Sequence, residues 1–193
     1  MYEYISGNIE YLSPTLAILD NHGIGYQIQI SLFTYTALKQ GQADKLLLYQ
    51  IIREDAHILF GFKTADERDM FKLLIGVNGI GANTARMMLS SLSPAELRQA
   101  IFTDNISLLK TIKGIGLKTA QRVIIELKDK ISKTDGASSL SMPMVSTGRS
   151  EAISALIMLG FAKPEVEKTI DKLLSTEPSL SIENLIKKAL KAL

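Results

Sequence analysis

One seven-residue pattern occurs twice in this chain, and its residue types suit a grip on phosphate. Gly79-Ile80-Gly81-Ala82-Asn83-Thr84-Ala85 recurs thirty-five positions later as Gly114-Ile115-Gly116-Leu117-Lys118-Thr119-Ala120, with five of the seven residues identical. Two glycines one residue apart let a backbone turn sharply and approach a ligand with no Cβ in between. Each copy follows a short apolar stretch, Phe71–Leu74 or Ile106–Leu109, and precedes a longer amphipathic one. The pattern therefore reads as helix, tight turn, helix. The second helix would open with unpaired N–H groups and the positive end of its dipole facing outward, where an anion is favoured. The threonine offers a further hydrogen bond, and the alanine after it lets the helices pack closely.

Catalytic readings of the same residues fail on their chemistry. Gly76 and Gly81 have the spacing of a nucleotide-binding phosphate loop, but Ala82-Asn83 stand where Lys and Ser/Thr are required. In Gly116-Leu117-Lys118-Thr119 the leucine breaks the pattern, and Thr84 and Thr119 replace the third glycine of a dinucleotide fingerprint. A glycosylase or nuclease would need a carboxylate beyond the second turn. Glu126 and Asp129 lie there, but among lysines and on what reads as an outer face, as surface ion-pair partners. The chain has no cysteine and only two histidines, His22 and His57. Thiolate chemistry, disulfides and histidine-rich metal clusters are thereby excluded. No enzymatic activity, metal or cofactor is expected of this chain alone.

Charge offers a local basic patch of the kind phosphate backbones attract, or else a solvated helix face. Residues 1–62 carry three Lys/Arg against six Asp/Glu, while residues 63–135 carry twelve against eight. Between Lys110 and Lys133 there are seven cations and two anions, with the second glycine turn inside that basic stretch. Two turns with equivalent flanks form a tandem helix-hairpin-helix. That motif holds DNA by its backbone, an interaction that positions the duplex without reading sequence and weakens steeply with salt. The expected backbone contacts are Gly79, Gly81, Asn83, Lys113, Gly114, Gly116, Lys118, Thr119 and Arg122.

The elements that must position these residues fall into composition zones. All six tyrosines lie in residues 1–62, with the short β-type runs Tyr2–Ile5, Ile9–Leu12, Leu16–Leu19, Tyr26–Ile30, Leu46–Ile52 and His57–Phe62. Ser6-Gly7-Asn8, Asp20-Asn21-His22-Gly23 and Arg53-Glu54-Asp55 read as the turns between them. This spacing predicts a small antiparallel barrel. From residue 64 the period becomes helical. Thr64 with Glu67 and Ser93 with Glu96 read as capping boxes, the second with Pro94 at the first helical position, and Asn105 caps a short helix. Residues 134–149 are rich in Ser, Thr, Gly and Pro and read as a flexible linker. Residues 150–193 read as three short helices started by Ser150, Pro164 and Ser181, with Gly160 ending the first. A bundle of that size has little core, so a docking role suits it better than a catalytic one. No apolar run approaches the roughly 18 residues of a membrane span. Met1-Tyr2-Glu3-Tyr4 opens without the basic and apolar regions of a signal peptide, so the expected location is the cytoplasm.

The order of barrel, tandem hairpins, linker and three-helix module resembles the RuvA family, the Holliday-junction-binding subunits of the bacterial RuvAB branch-migration complex. The resemblance runs along the whole chain. Its strongest marks are the two Gly-Ile-Gly turns, Arg53-Glu54-Asp55-Ala56 leading into Leu59-Phe60-Gly61-Phe62, and Leu159-Gly160-Phe161. It implies an α+β multidomain chain: an OB-type barrel (1–63), a tandem helix-hairpin-helix domain (64–133), the linker (134–149) and a UBA-like three-helix bundle (150–193). It further implies a homotetramer, or two tetramers face to face, on an open four-way junction. Glu54 and Asp55 would form an acidic pin that repels phosphates at the crossover. The last module would recruit RuvB, the hexameric ATPase that uses ATP and Mg²⁺, through Ala155, Leu156, Leu159 and Phe161. Family members commonly carry a basic residue at the position of Leu117, and Lys113 is the cation placed to substitute for it. The alternative function is a helix-hairpin-helix accessory protein for ordinary or damaged duplex DNA.

Overall fold

The computed structural model describes residues 1–138, 148–177 and 180–193. They form two compact units, Met1–Gly136 and Ala137–Leu193. The first unit opens with β1 (Tyr4–Ser13), β2 (Leu16–Asn21) and β3 (Ile24–Ile30), then α1 (Leu32–Ala37), β4 (Ala43–Ile52) and β5 (His57–Phe62). The strands close into a barrel in the order β1-β2-β3-β5-β4, antiparallel except for the parallel pair β3–β5. Alternating residues fill it: Ile5, Ile9, Ala17, Leu19, Ile28, Ile30, Leu46 and Leu48 make one apolar core.

Two expectations for this region need correction. Ser6-Gly7-Asn8 is not a turn, because Tyr2–Ile5 and Ile9–Leu12 belong largely to the single strand β1. A Cβ on Gly7 would collide with the Asp20 carbonyl oxygen of the paired strand. The glycine therefore serves close strand approach, not chain reversal. The helix α1 was not anticipated. Ser31 starts it by accepting a hydrogen bond from Thr34 N at 3.1 Å. The turn at Asn21-His22-Gly23 does form, with φ of 52° at His22 and 86° at Gly23. His22 is thus a hairpin residue.

The helices α2 (Ala65–Ile75), α3 (Ala82–Ser91), α4 (Pro94–Phe102), α5 (Ile106–Leu109) and α6 (Leu117–Ser138) follow. They share a core with the outer face of the barrel, where the Phe71 ring lies 5.1 Å from Phe60, 4.9 Å from Phe62 and 5.5 Å from Tyr49. Ser93 and Glu96 make a complete capping box. Thr64 accepts from Glu67 N at 3.2 Å, but the reciprocal half of the expected box is absent. The Glu67 carboxylate turns inward instead and meets the barrel, as described below.

The helical backbone of α6 continues through Ser138, so the start of the expected linker is helix; residues 139–147 of that linker lie outside the described residues. The second unit holds α7 (Gly148–Met158), α8 (Lys163–Thr176) and α9 (Ile182–Ala192). Ser150 is not the cap of α7, because the helix begins two residues earlier and Ser150 falls within its first turn. Ala152, Ile153, Leu156, Val166, Ile170, Leu185 and Ala189 form the small core. Gly160 ends α7 with φ of 100°. Its N–H donates to Ile157 O at 3.0 Å and the Phe161 N–H to Leu156 O at 3.2 Å, the paired bonds of a Schellman motif. An L side chain is strained at that φ, so Gly160→Ala is expected to destabilise this unit by about 1–2 kcal/mol. Amide hydrogen exchange on the full chain checks this: protection should fall in α7–α9 and stay unchanged in the barrel.

Candidate nucleic-acid interface

The two glycine turns are superimposable in their bonding. In the first, Val77 N donates to Leu74 O and Ile80 N to Val77 O, both at 3.0 Å, and Ala85 N donates to Gly81 O at 2.9 Å. In the second, Ile112 N donates to Leu109 O at 3.3 Å, Ile115 N to Ile112 O at 3.0 Å, and Ala120 N to Gly116 O at 2.9 Å. Val77, Ile80 and Ala85 are buried, as are their counterparts Ile112, Ile115 and Ala120. The apolar residues anchor each loop and leave its glycines at the surface.

Each glycine pair divides into two roles. Gly79 and Gly114 have φ of 94° and 91°, so the chain itself requires glycine there. Gly81 has an ordinary φ of −85°, and Gly116 is not among the residues with positive φ. A Cβ at either would meet nothing within 4 Å. No internal packing or backbone strain therefore calls for glycine at these two positions. They stand at the N-terminal ends of α3 and α6, and Gly81 leaves its helix without a side-chain cap. Free N–H groups, an outward dipole and no Cβ coincide at the same point twice. A phosphate oxygen approaching the backbone would fit there.

The named side chains surround these loops. Asn83 is exposed in the first turn of α3, Lys113 and Lys118 are exposed on either side of Gly114–Gly116, and Thr119 is half-buried. Leu117 is 51% exposed at the start of α6, an apolar residue at the mouth of the second turn. Arg122 has an internal task. Its Nη1 donates to Asn78 O at 3.0 Å, and its Nε lies 3.9 Å from Glu126 Oε1. The guanidinium ties the helix after the second turn to the loop of the first, and so joins the two hairpins. Glu126 belongs to that surface pair.

The acidic turn lies between β4 and β5, closed by Arg53 N donating to Ala56 O at 2.8 Å. Glu54 and Asp55 are both exposed at its tip. In the second unit the four expected docking residues do not share one surface. Leu156 is fully buried in the bundle core because α8 and α9 cover its face of α7. Phe161 packs half-buried against the same core, and Ala155 is half-buried. Leu159 is 61% exposed, next to Met158 at 88%, which sequence reasoning passed over. Apolar residues on both faces of α7 concealed the distinction.

Two further residues had no functional signal in the sequence. Glu67 is completely buried and accepts from the Ser31 hydroxyl, from the Thr34 hydroxyl at 2.6 Å and from Lys63 N at 3.3 Å. Burial raises its pKa, outweighing the opposing pull of these hydrogen bonds. Arg86 of α3 reaches the barrel, its Nη1 donating to Thr15 O at 2.9 Å and Ile30 O at 3.4 Å. Burial lowers its pKa. Glu67 reads from sequence as a cap partner only.

Comparison with known proteins matches this arrangement segment by segment. The RuvA N terminal domain family model covers residues 1–61, the SAM-like helix-hairpin-helix tandem covers 71–129, and the RuvA C-terminal domain covers 147–193. A Bacteroides fragilis protein named Holliday junction branch migration complex subunit RuvA is 50% identical over 201 aligned positions, spanning all of both chains. The chain belongs to the RuvA family. Proteins of the same name from Flavobacterium psychrophilum and Porphyromonas gingivalis are 44% and 42% identical, again over the full length of both partners. In RuvA family terms the barrel is the N-terminal domain, and both glycine turns fall inside the helix-hairpin-helix tandem. The bundle of α7–α9 is the C-terminal domain. Among the described residues no helix is long and apolar enough to cross a membrane.

Proposed function

We propose that this chain binds four-way DNA junctions as a homotetramer and recruits the RuvB ATPase for branch migration, without chemistry of its own. The observation that carries the reading is the pair of glycines, Gly81 and Gly116, which the fold does not need. A surface position kept open to the backbone at a helix N-terminus suits phosphate, with exposed Asn83 beside the first and exposed Lys113 and Lys118 beside the second. Two such positions joined through Arg122 suit two stretches of one duplex. ATP and Mg²⁺ act on the motor, and Leu159 with Met158 offers it an exposed apolar contact. The relatives are named for the branch migration complex, which agrees with this division of labour.

The test is a titration of the purified chain against a synthetic four-way junction and a linear duplex of matched sequence, at two salt concentrations. A strong, salt-sensitive preference for the junction is expected. Equal affinity for both would leave a general duplex-binding protein in its place. Within this reading Glu54 and Asp55 act by repulsion and not by attachment. Glu54→Ala with Asp55→Ala is expected to leave junction affinity unchanged or raised while altering the rate of migration with the motor present. A marked loss of binding would contradict the pin.

A further inference from the structure

The barrel carries the acidic turn and the helices carry the glycine turns, so whatever holds one against the other sets their spacing. Much of that contact is apolar, through Phe60, Phe62 and Phe71. Apolar packing is not directional and fixes an angle poorly. Among the described residues the directional bonds converge on the two helices that flank the first hairpin, and at the exposed edge Arg68 of α2 also donates to Glu3 O at 3.2 Å and pairs with the Glu3 carboxylate. From α2, Glu67 takes the hydroxyls of Ser31 and Thr34 at α1. From α3, Arg86 donates to two barrel carbonyls, and Ser90 Oγ accepts from Leu32 N at 3.0 Å. The helix on each side of the hairpin is thus tied to the barrel by its own polar bonds. The Glu67 bonds lie in a buried site, where such bonds are strong and leaving them unmade is costly.

We propose that Glu67 and Arg86 are positioning residues that set the preference for a four-way junction over linear duplex. They hold the hairpins and the acidic turn at one fixed offset. The inference rests on the junction reading above. A linear duplex needs only the hairpins, whose glycine loops are built from local bonds that neither residue touches. A junction brings its crossover up to the acidic turn while its arms lie on the hairpins, so a turn displaced from that offset sets its carboxylates against arm phosphates and repels them. Loosening the polar seam therefore lowers junction affinity and spares duplex affinity.

The experiment measures both affinities for the unsubstituted full-length chain and for Arg86→Met, Arg86→Lys and Glu67→Gln. Thermal unfolding confirms that each is folded. Arg86→Met should weaken junction binding roughly tenfold, the scale of losing hydrogen bonds to a charged group. Linear-duplex affinity should change less than about twofold on the same scale. Arg86→Lys keeps a cation and one donor within reach and should restore part of the ratio. Glu67→Gln should follow Arg86→Met; if it fails to fold, the Arg86 pair decides alone. A parallel fall in both affinities, or no change in their ratio, overturns the inference and leaves the junction reading standing. An unsubstituted chain that binds both DNAs equally ends the junction reading and this inference with it.

Discussion

Gly81→Asp combined with Gly116→Asp is expected to raise stability and abolish tight DNA binding at the same time. Both positions precede a helix, have backbone room for a side chain and carry no positive φ. Aspartate is among the best N-cap residues and complements the helix dipole, so each substitution should stabilise by about 0.5 kcal/mol. The same carboxylate would take the first-turn N–H groups for itself and place negative charge where a phosphate would sit. Junction affinity should fall roughly 100-fold or more at moderate salt, with a shallower salt dependence. Opposed signs make the test clean, because a fold defect would move both quantities down. Calorimetry and a junction titration on the same preparation read both. Retained affinity in a stabilised double variant would mean the loops do not touch DNA.

Glu67→Ala is expected to be the most damaging single substitution in the first unit. It removes a fully buried carboxylate and leaves the hydroxyls of Ser31 and Thr34 without their acceptor, in a site closed to water. Stranding buried hydroxyls in this way costs about 1–3 kcal/mol for each. Urea unfolding followed by barrel tyrosine fluorescence would read it. The conservative Glu67→Gln has a different use, because it removes the ionisation. Burial raises the Glu67 pKa above its ordinary 4.5, so between those values the folded chain binds more protons than the unfolded chain. Stability from this group is then fully present below about pH 4.5 and is lost as pH rises through the raised value. The urea midpoint of the unsubstituted chain, relative to Glu67→Gln, should fall over that window and then level off. A rise with pH would mean that the hydrogen bonds outweigh burial.

Much of the interface was legible in the residues because it is made locally. Gly79 and Gly114 adopt left-handed backbone, and the bonds that shape each loop join residues three or four apart, so a repeated motif encodes the loop whole. Capping by Ser93, Asn105 and Ser181 and termination at Gly160 were legible for the same reason. The barrel was legible as alternation, but its first strand was divided at Gly7. A glycine that permits a neighbouring strand and a glycine that permits a turn look alike in sequence.

Sequence alone determined the architecture, the twin phosphate-type loops and the absence of a thiol or histidine centre. Each depends on which residues are present and on spacing within one or two helical turns. Tertiary structure decided which groups face inward and what they bind. Glu67 meets Thr34 and Ser31 across 33 and 36 positions, and Arg86 meets the barrel across 56 and 71. Leu156 enters the core while Leu159 stays exposed because α8 and α9 cover only one face of α7. Gly81 and Gly116 share their loops with two glycines that the backbone demands, and only the positive φ of Gly79 and Gly114 separates the two kinds. Such distinctions arise when distant segments pack, since burial and hydrogen bonding are properties of neighbours in space and not of neighbours in the chain.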